Sequence, residues 1–471
     1  MVDSWTYDEL IEAFQKAPLY HIIFEAVLIL GIFYLLFKRS YKPSKRDQLT
    51  EAEKDQLVAE WEPEPLVPEL VDRSAANYKV VSKQGGAHVT VDGKECLNLA
   101  TFNFLGMLGK KPVENGAVKA LQKYGVGSCG PRGFYGTVDI HLELEDRLAK
   151  YMKTEEAILY SYGFSTVASA IPAYAKRSDV IFCDQGVCFA VQMGLLASRS
   201  NLKFFKHNDM EDLERLLIEQ AKEDKKNPKK AKVTRRFLVV EGLYTNYGDI
   251  APLKELLQLK YKYKVRLFMD ESISFGVLGA HGKGLTEYFD VPVEEVDMIT
   301  TSMENSLASI GGFCCGTTFV IDHQRLAGLG YCFSASLPPL LAAAAIESLN
   351  LMEENPDMFS QLQNKCRLMH ELLSSIPGFK VTSVPQSSLQ FLRLEESMPR
   401  EEENAILKTI VNKAMEAGVA MIHPNYLKEE RFLPPPGIRI AVTTELSEDN
   451  IRHAADCIRE VTKSVLDELS S

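Results

Sequence analysis

An excess of positive charge is missing from this sequence. Its 471 residues contain 53 lysines and arginines against 64 aspartates and glutamates, which gives a formal net charge of −11 at pH 7. Proteins that bind nucleic acid usually carry a basic face instead, so we exclude a nucleic-acid partner. The hydrophobic content of 46% predicts a globular chain with two or three structural units.

A regular cysteine framework is also missing. The nine cysteines are an odd number, and no pair of them has the spacing of a zinc knuckle. This pattern predicts free thiols in a reducing compartment and no metal site. The adjacent Cys314 and Cys315 are interpreted as small buried side chains.

Long hydrophobic runs are rare, and the one exception lies near the start of the chain. Residues 18–37, PLYHIIFEAVLILGIFYLLF, have about the length needed to cross a hydrocarbon core of ~30 Å. Acidic residues precede this segment and basic residues follow it. The positive-inside rule therefore predicts a single transmembrane helix, with residues 1–17 outside the cytosol and the rest of the chain inside it. The flanking charges are Asp3, Asp8, Glu9 and Glu12 before the segment and Lys38, Arg39, Lys42, Lys45 and Arg46 after it.

The predicted transmembrane segment is not uniformly apolar, because it contains His21 and Glu25. A carboxylate inside a membrane span is costly unless it is paired or close to the interface, so Glu25 indicates a membrane partner. The alternative interpretation of residues 18–37 is a buried or interfacial helix.

Residues 38–77 are predicted to connect the membrane segment to the body of the chain. They include the proline-rich stretch EWEPEPLVPEL, residues 60–70, which is typical of an extended connector. A second unusual stretch, KKNPKKAKVTRR at residues 225–236, is strongly basic. It is interpreted as a solvated loop, with contact to phospholipid as the alternative.

From about Tyr78 the sequence pattern becomes mixed α/β. HVTVDGKECLNL alternates in polarity around Asp-Gly, which predicts a β-hairpin. The runs FLVVEGLY, VRLFMDES and VDMITTS are rich in strand-forming residues, end in polar residues, and are separated by helical stretches such as PLKELLQLKYKY. This alternation predicts a mainly parallel sheet whose ligands gather at the carboxyl ends of the strands.

The stretch LPPLLAAAAIESLNLMEEN predicts a long helix that opens after Pro339. We expect this helix to link a large domain, residues 78–340, to a smaller C-terminal α/β domain, residues 341–471.

Several motifs follow one another in a specific order over about 350 residues. They are FNFLG, YGVGSCGPRGFYGTVDIHLELE, AILYSYGF, KHND, VVEGLYTNYGDIAPL, MDESISFGVLGAHGKG, TTSMENSLASIGGFCCG, FSASLPP and GIRIAVTTE. In order and spacing they resemble the α-oxoamine synthase family. These are fold-type I, pyridoxal-phosphate enzymes that condense an amino acid with an acyl-CoA and release CO2.

The resemblance covers almost the whole chain. With the N-terminal apolar segment and EWEPEPLVP, it narrows to the long-chain base subunits of the membrane-bound acyltransferases that condense L-serine with palmitoyl-CoA. Their product, 3-ketodihydrosphinganine, begins sphingolipid synthesis.

The resemblance also implies that groups with direct roles on the cofactor are lost. In the family a lysine holds pyridoxal phosphate as an imine, and that lysine aligns with Asn305, whose amide cannot form one. The histidine that stacks on the ring aligns with Cys188, and the histidine that contacts the ring oxygen aligns with Ile273. We therefore expect no covalent cofactor in this chain.

Other family positions are retained. The resemblance assigns Asp270 to the ring nitrogen, Thr245 to the hydroxyl after E-G, Asn103 to the vicinity of the substrate, and Arg439 to the substrate carboxylate. Without the lysine, Asp270 is vestigial. Its alternative interpretation is a strand-end aspartate satisfied by neighbouring backbone amides.

The resemblance implies further that two segments lie at a subunit interface. Family members are dimers that share residues between their two active sites. Ser334, in FSASLPP, matches the hydroxyl that reaches the phosphate of the partner's cofactor, while the next hydroxyl is lost to Ala335. The glycine-rich GSCGPRGFYG also lies at the family interface, although such loops can simply form turns. Its interface residues here are Cys129, Gly130, Arg132 and Tyr135.

These observations predict an obligate heterodimer, or a higher oligomer, in which this chain alone is inactive. It would complete and stabilise a homologous catalytic subunit that carries the lysine and the pyridoxal phosphate. It would also anchor that subunit in the endoplasmic reticulum membrane, with a lumenal N-terminus and a cytosolic body. Small accessory and regulatory membrane subunits are further expected partners.

Two alternatives stay open at this point. In one, the chain is a self-sufficient enzyme whose imine forms on Lys264 or Lys283, although both precede the site strand by more than twenty residues. In the other, the chain is a membrane-bound pseudoenzyme scaffold with no share in an active site.

Overall fold

The computed structural model describes residues 7–38, 49–65, 79–427 and 430–470. Of the predicted connector, residues 38–77, only residues 38 and 49–65 are described, and the predictions for the rest lie outside the described residues. The same holds for the charges at Asp3, Arg39, Lys42, Lys45 and Arg46, and for Tyr78 as the start of the body. The chain divides into two compact units, Met1–Tyr78 and Lys79–Ser471.

Three helices are described in the first unit: Tyr7–Lys16 (α1), Leu19–Phe37 (α2) and Glu51–Glu60 (α3). Helix α2 is long and apolar enough to cross a membrane, with a mean hydropathy of 2.2 and none of its residues buried. Within it, His21 Nδ1 lies 3.6 Å from Glu25 Oε1, one helical turn away. Glu25 thus has a polar neighbour in its own helix, which weakens the case for a membrane partner.

The second unit is built around a seven-stranded sheet with the strand order β4-β10-β9-β8-β7-β5-β6. Five neighbouring strands run parallel, as predicted, and β10 is antiparallel to both β9 and β4. The strands are Glu156–Tyr160 (β4), Val180–Asp184 (β5), Asn201–Phe205 (β6), Arg236–Glu241 (β7), Arg266–Asp270 (β8), Met298–Ser302 (β9) and Gly312–Gly316 (β10).

Two smaller sheets complete the second unit. One has the order β1-β2-β3-β13, and the other is antiparallel with the order β11-β12-β14. The predicted hairpin joins β2 to β3, with Asp92 and Gly93 both at positive φ, the conformation that Asp-Gly turns favour. The strands are Val81–Gly85 (β1), His88–Val91 (β2), Lys94–Asn98 (β3), Phe379–Val381 (β11), Leu389–Leu394 (β12), Val419–Ala420 (β13) and Ile438–Ala441 (β14).

Helices connect these strands, and the predicted helix after Pro339 is α15. The helices are Lys111–Tyr124 (α4), Asp139–Met152 (α5), Gly163–Tyr174 (α6), Phe189–Ser198 (α7), Met210–Lys226 (α8), Pro228–Ala231 (α9), Leu253–Tyr263 (α10), Leu285–Tyr288 (α11), Glu304–Leu307 (α12), Thr318–Ala327 (α13), Leu329–Cys332 (α14), Pro339–Glu354 (α15), Asp357–Ser374 (α16), Arg400–Glu416 (α17) and Glu448–Ser470 (α18). The boundary between residues 340 and 341 stays a prediction, since Lys79–Ser471 forms one compact unit and β13 pairs with β3.

The hydrophobic core surrounds the seven-stranded sheet, and its central strands are buried on both faces. Such strands read as continuous apolar runs because neither face meets water. Cys314 and Cys315 in β10 are part of this core, which confirms their interpretation as small buried side chains, and all nine cysteines are free thiols.

The basic stretch at residues 225–236 differs from the predicted loop. It contains the end of α8, the short helix α9 and the first residue of β7. Two of its cations are paired, Arg235 with Asp179 and Arg236 with Asp224. The helical content follows from the caps: Asp209 and Asn227 accept backbone hydrogen bonds at the starts of α8 and α9.

Candidate functional site

Polar side chains meet at the carboxyl ends of the central parallel strands. We use the name strand-end cluster for five residues there: Cys188, Glu241, Thr245, Asp270 and Asn305. The strand register pairs Glu241 with Asp270 across β7 and β8, and Asp270 with Thr300 across β8 and β9. Because parallel strands end at the same sheet edge, the residues that follow them converge.

Asp270 ends β8 and is buried. Its carboxylate accepts hydrogen bonds from Thr300 Oγ1 at 2.7 Å and from Ser272 N at 3.1 Å. Burial raises the pKa of Asp270, and these hydrogen bonds oppose that shift. The alternative interpretation of Asp270, a strand-end aspartate satisfied by backbone amides, expects contacts of that kind only. One of the two contacts is such a backbone amide, and the other is a hydroxyl.

A second buried carboxylate, Glu241, ends β7 beside Asp270. Glu241 accepts from Cys188 N, and from Thr245 N at 2.8 Å and Thr245 Oγ1 at 2.7 Å. Burial, and then the charge of Asp270, raise the pKa of Glu241 to about 7. Sequence reasoning missed Glu241 as a site residue, although it is the glutamate of VVEGLY. In the described part of the chain, no cation pairs with either carboxylate.

Asn305 lies on the short helix α12 and is 8% exposed. Its side-chain Nδ2 donates to Ser272 O at 2.7 Å, and its backbone carbonyl oxygen accepts from Phe104 N at 3.0 Å. Asn305 therefore ties the loop after β8 and the FNFLG segment to the end of β9. An amide in this position can hold backbone in place but cannot form an imine.

Cys188 and Ile273, which the resemblance aligns with family histidines, offer no imidazole chemistry. Cys188 is half-buried just before α7, and burial, followed by the charges of Glu241 and Asp270, raises the pKa of its thiol. The thiol is thus neutral and a poor nucleophile. Ile273 is buried in the hydrophobic core.

The two lysines proposed for an alternative imine do not join the strand-end cluster. Lys264 follows α10 and comes directly before β8, at the opposite sheet edge from Asp270. Lys283 is half-buried with its Nζ 5.5 Å from the centre of the Tyr151 ring. Burial and the charge of Lys153 lower the pKa of Lys283.

The predicted substrate residues Asn103 and Arg439 lie near the FNFLG segment. Asn103 is buried, and its Oδ1 accepts from Leu108 N at 3.1 Å. The Arg439 guanidinium lies 4.6 Å from the centre of the Phe102 ring, and its buried Nε has no hydrogen-bond partner. Arg439 Nε is thus a buried donor without a partner, whereas the side-chain oxygen of Asn103 is occupied by its own turn.

Two segments assigned by resemblance to a subunit interface, GSCGPRGFYG at residues 127–136 and FSASLPP at residues 333–339, are bound to each other; we name them the interface segments. Ser336 N and Oγ donate to Gly130 O at 3.0 and 2.9 Å, and Oγ also contacts Gly136 O. Ser336 is buried and holds both segments in one arrangement. Sequence reasoning missed its role, and the available signal was that Ser336 is the second serine of FSASLPP.

Interactions of residues 127–136 fix this loop further. Arg132 is buried, and its guanidinium donates to both carboxylate oxygens of Glu145 at 2.8 and 2.9 Å. This bidentate pair occupies Arg132 within its own chain. A Cβ on Gly130 would lie 2.8 Å from Phe134 O, so glycine permits the close backbone approach there.

Other side chains of the interface segments point outward without partners. Cys129 and Tyr135 are exposed non-glycine residues with left-handed φ of 58° and 65°, a strained conformation for both. Phe333 is 76% exposed. Ser334 is half-buried, and its hydroxyl makes no hydrogen bond to any described residue. Exposed aromatic groups are typical of a surface that another chain covers.

Comparison with known proteins gives a consistent family match. The family model for aminotransferase class I and II matches residues 94–458. The chain is 43% identical over 457 residues to serine palmitoyltransferase 1 of Dictyostelium discoideum, covering 95% of each chain. It is 42% identical over 450 residues to long chain base biosynthesis protein 1 of Arabidopsis thaliana, covering 95% of this chain and 92% of that protein.

Among solved structures, the fold is similar to that of Sphingomonas wittichii serine palmitoyltransferase. The TM-score is 0.74 at 24% identity, over 88% of this chain and 96% of that chain. A likeness at this identity establishes the fold, which is the fold-type I architecture that the sequence resemblance implied.

Proposed function

The chain belongs to the aminotransferase class I and II family, and within it to the group of serine palmitoyltransferase 1 and long chain base biosynthesis protein 1; on this premise we propose that it is the non-lysine subunit of a heteromeric serine palmitoyltransferase. The complex would condense L-serine with palmitoyl-CoA to 3-ketodihydrosphinganine and release CO2. A homologous catalytic subunit would bind the pyridoxal phosphate covalently.

The observation that carries this proposal is the chemistry of the strand-end cluster. A covalent pyridoxal phosphate does not fit its residues, because the family lysine is matched by Asn305 and the amide already donates to Ser272 O. The positions of the two ring-contacting histidines hold the neutral thiol of Cys188 and the core side chain of Ile273. Asp270 remains, but hydrogen bonds within the chain satisfy it.

The interface segments support a share in the partner's site. The Ser334 hydroxyl makes no hydrogen bond to any described residue, its neighbour in sequence Phe333 is exposed, and Tyr135 in the other interface segment is exposed as well. In the proposed heterodimer these aromatic side chains are covered by the catalytic subunit, and Ser334 donates to the phosphate of the partner's cofactor. Arg132 and Gly130 would serve by shaping the loop, since their contacts are internal.

Helix α2 supports a second role as a membrane anchor. We place it in the endoplasmic reticulum membrane as a single span with the N-terminus lumenal, which leaves the body on the cytosolic side close to an acyl-CoA supply. Small accessory and regulatory membrane subunits would bind near this helix.

A cofactor trap tests the proposal. The full-length chain is purified from membranes together with its bound partners and reduced with borohydride, and the phosphopyridoxyl-lysine is located by peptide mass spectrometry. We expect the label on a lysine of a second, homologous chain. A label on Lys264, Lys283 or another lysine of this chain would refute the heteromeric model, because this chain would then hold its own cofactor.

A further inference from the structure

Positive charge is concentrated in one stretch of a chain whose net charge is −11. Residues 225–236 contain seven lysines and arginines and no acidic residue. The stretch spans the end of α8, the short helix α9 and the first residue of β7. Its five lysines all have exposed side chains: Lys225, Lys226, Lys229, Lys230 and Lys232.

These five lysines form no ion pair with any residue that the structure describes. The two acids that precede them in α8 are engaged elsewhere. Asp224 pairs with Arg236 at 2.6 Å. Glu223 pairs with Lys203 at 3.3 Å. The charge of the five lysines is therefore not neutralised by the nearest acids of their own helix.

The fold accounts for only part of this charge. Lys225 and Lys226 lie in the last turn of α8, where the helix dipole favours cations. Lys229 and Lys230 lie on α9, which has four residues, and Lys232 follows it. Crowded like charges repel one another and lower the stability of a compact chain. A concentration of cations that the fold does not need is typical of a binding surface.

A neighbouring segment extends the same surface. Val180 N, at the start of β5, donates to Arg235 O at 3.0 Å, so the segment before β5 lies beside the one before β7. Arg177 and Lys230 line one cleft of about 310 Å³, and the two acids that line it are the two paired acids of α8. Arg177 is exposed and makes no ion pair with any described residue. We use the name basic surface for Arg177 and the five lysines.

The basic surface and the interface segments lie at different parts of the seven-stranded sheet. The basic surface adjoins the amino ends of β5 and β7, next to the edge strand β6. Strand β4 forms the opposite edge, and Ser161, directly after it, donates to Ala335 O in an interface segment. Occupation of one surface therefore does not require the other.

We propose that the basic surface docks on the headgroups of an anionic membrane leaflet. Lysines within a Debye length of such a leaflet are attracted to it. Val233 is 71% exposed among these lysines, and an apolar side chain beside lysine stems suits the interfacial region of a bilayer. The inference rests on the proposed anchoring role of α2, because a helix held in a membrane keeps headgroups at a high effective concentration around the rest of its chain.

The alternative partner is an acidic protein surface, and the residue types of the basic surface disfavour it. Protein interfaces draw their binding energy from aromatic and arginine anchors, and they are depleted in lysine. Residues 176–178 and 225–236 contain no aromatic residue, and Arg235 and Arg236 are bound in ion pairs within the chain. A bilayer surface, whose charge is diffuse, needs only exposed lysines.

Lysine footprinting of the full-length complex tests the proposal. The complex is reconstituted in nanodiscs of phosphatidylcholine, alone or with about 30% phosphatidylglycerol, an anionic lipid without an amine. It is then treated with an uncharged acetylating reagent, and peptide mass spectrometry gives the labelling rate of each lysine. In the anionic discs the five lysines should react about threefold more slowly, and about 0.5 M salt should restore their rates.

Three other lysines serve as internal controls: Lys83, Lys119 and Lys463. They are exposed and make no ion pair with any described residue, and their rates should be the same in both kinds of disc.

A charge-neutralised variant gives the second measurement. In Lys226→Gln/Lys229→Gln/Lys230→Gln, the remaining Lys225 and Lys232 should lose their protection in the anionic discs. The matched variant changes the three internal-control lysines to glutamine, so it removes the same charge elsewhere and should keep that protection. All six positions are exposed, so both variants leave the hydrophobic core unchanged.

Equal labelling of the basic surface in neutral and anionic discs would overturn the proposal. Protection that is already present in detergent would overturn it too, since a protein subunit of the complex would then cover the basic surface. Size exclusion reports separately whether the complex stays in the discs, and so tests α2 as the anchor. The position of the borohydride label reports on the heteromeric function, and the footprint does not depend on which chain carries it.

Discussion

The strand-end cluster and the interface segments differ in where their polar groups find partners. In the cluster, Asn305 and Asp270 are satisfied by hydrogen bonds within the chain. In the interface segments, the Ser334 hydroxyl has no partner and Phe333 is exposed. Polar groups that are bonded within the chain need no further partner, whereas exposed aromatic side chains are typical of a surface that another chain covers. The contrast supports the proposal that this subunit contributes to catalysis from its interface.

Among the substitutions in the interface segments, Ser334→Phe should cause the largest loss of activity. The bulky ring would replace a hydroxyl that we expect to contact the phosphate of the partner's cofactor. We predict that the complex still assembles, because Ser336 still holds the interface segments together. Its condensation activity should fall by about 100-fold, which corresponds to the loss of roughly 2.7 kcal/mol of transition-state stabilisation.

The control for this variant is Ser360→Phe, which places the same ring on the exposed face of α16. It should leave the activity of the complex at the wild-type level. Assembly with normal activity in Ser334→Phe would favour the alternative, a membrane scaffold with no share in the active site.

The sequence predicted the parts of the molecule that depend on local patterns. Alternating strands and helices predicted the parallel sheet, and Asp92-Gly93 predicted the hairpin between β2 and β3. The resemblance also aligns Asn305 with the family's lysine, and this stays a prediction that requires only a comparison with a motif. By contrast, the basic stretch at residues 225–236 was interpreted as a loop, although α8 ends in it and a cap at Asn227 begins the short helix α9 there.

The contacts that hold the candidate site together could not be predicted in this way. Ser336 bonds to backbone carbonyls about 200 residues earlier in the chain. Such partners are chosen by tertiary packing, and neither hydrophobic periodicity nor residue type in a short window records them.

Cys129→Trp should cause a smaller loss of activity than Ser334→Phe, and it tests the glycine-rich loop of the interface segments directly. Cys129 is exposed with φ 58°, and the expected interface permits only a small side chain there. We predict about a tenfold loss of activity in the assembled complex, because a bulky indole would shift the loop against the partner's site. Activity is measured with L-serine and palmitoyl-CoA on equal amounts of purified complex.

The matched variant is Cys129→Gly, since glycine adopts positive φ without strain. It should retain wild-type activity and be slightly more stable. Normal activity in Cys129→Trp would count against an interface role for residues 127–136.

The smallest effect should come from pH, which acts on the strand-end cluster and not on the interface segments. The folded chain holds the pKa of Glu241 at about 7, above its ordinary value of 4.5, because of burial and the charge of Asp270. A raised carboxyl pKa favours folding while the group is protonated, so this contribution is complete below pH 4.5 and is lost as the pH rises through 7. From pH 6 to pH 8 the complex should lose roughly 1 kcal/mol of stability through this group.

Thermal unfolding of Glu241→Gln should show a correspondingly smaller decrease in stability over the same pH range, while Glu255→Gln, at an exposed glutamate of α10, should follow the wild type. An unchanged pH dependence in Glu241→Gln would mean that Glu241 stays ionised in the folded chain, and that the cluster retains the charge which an active cofactor site would need.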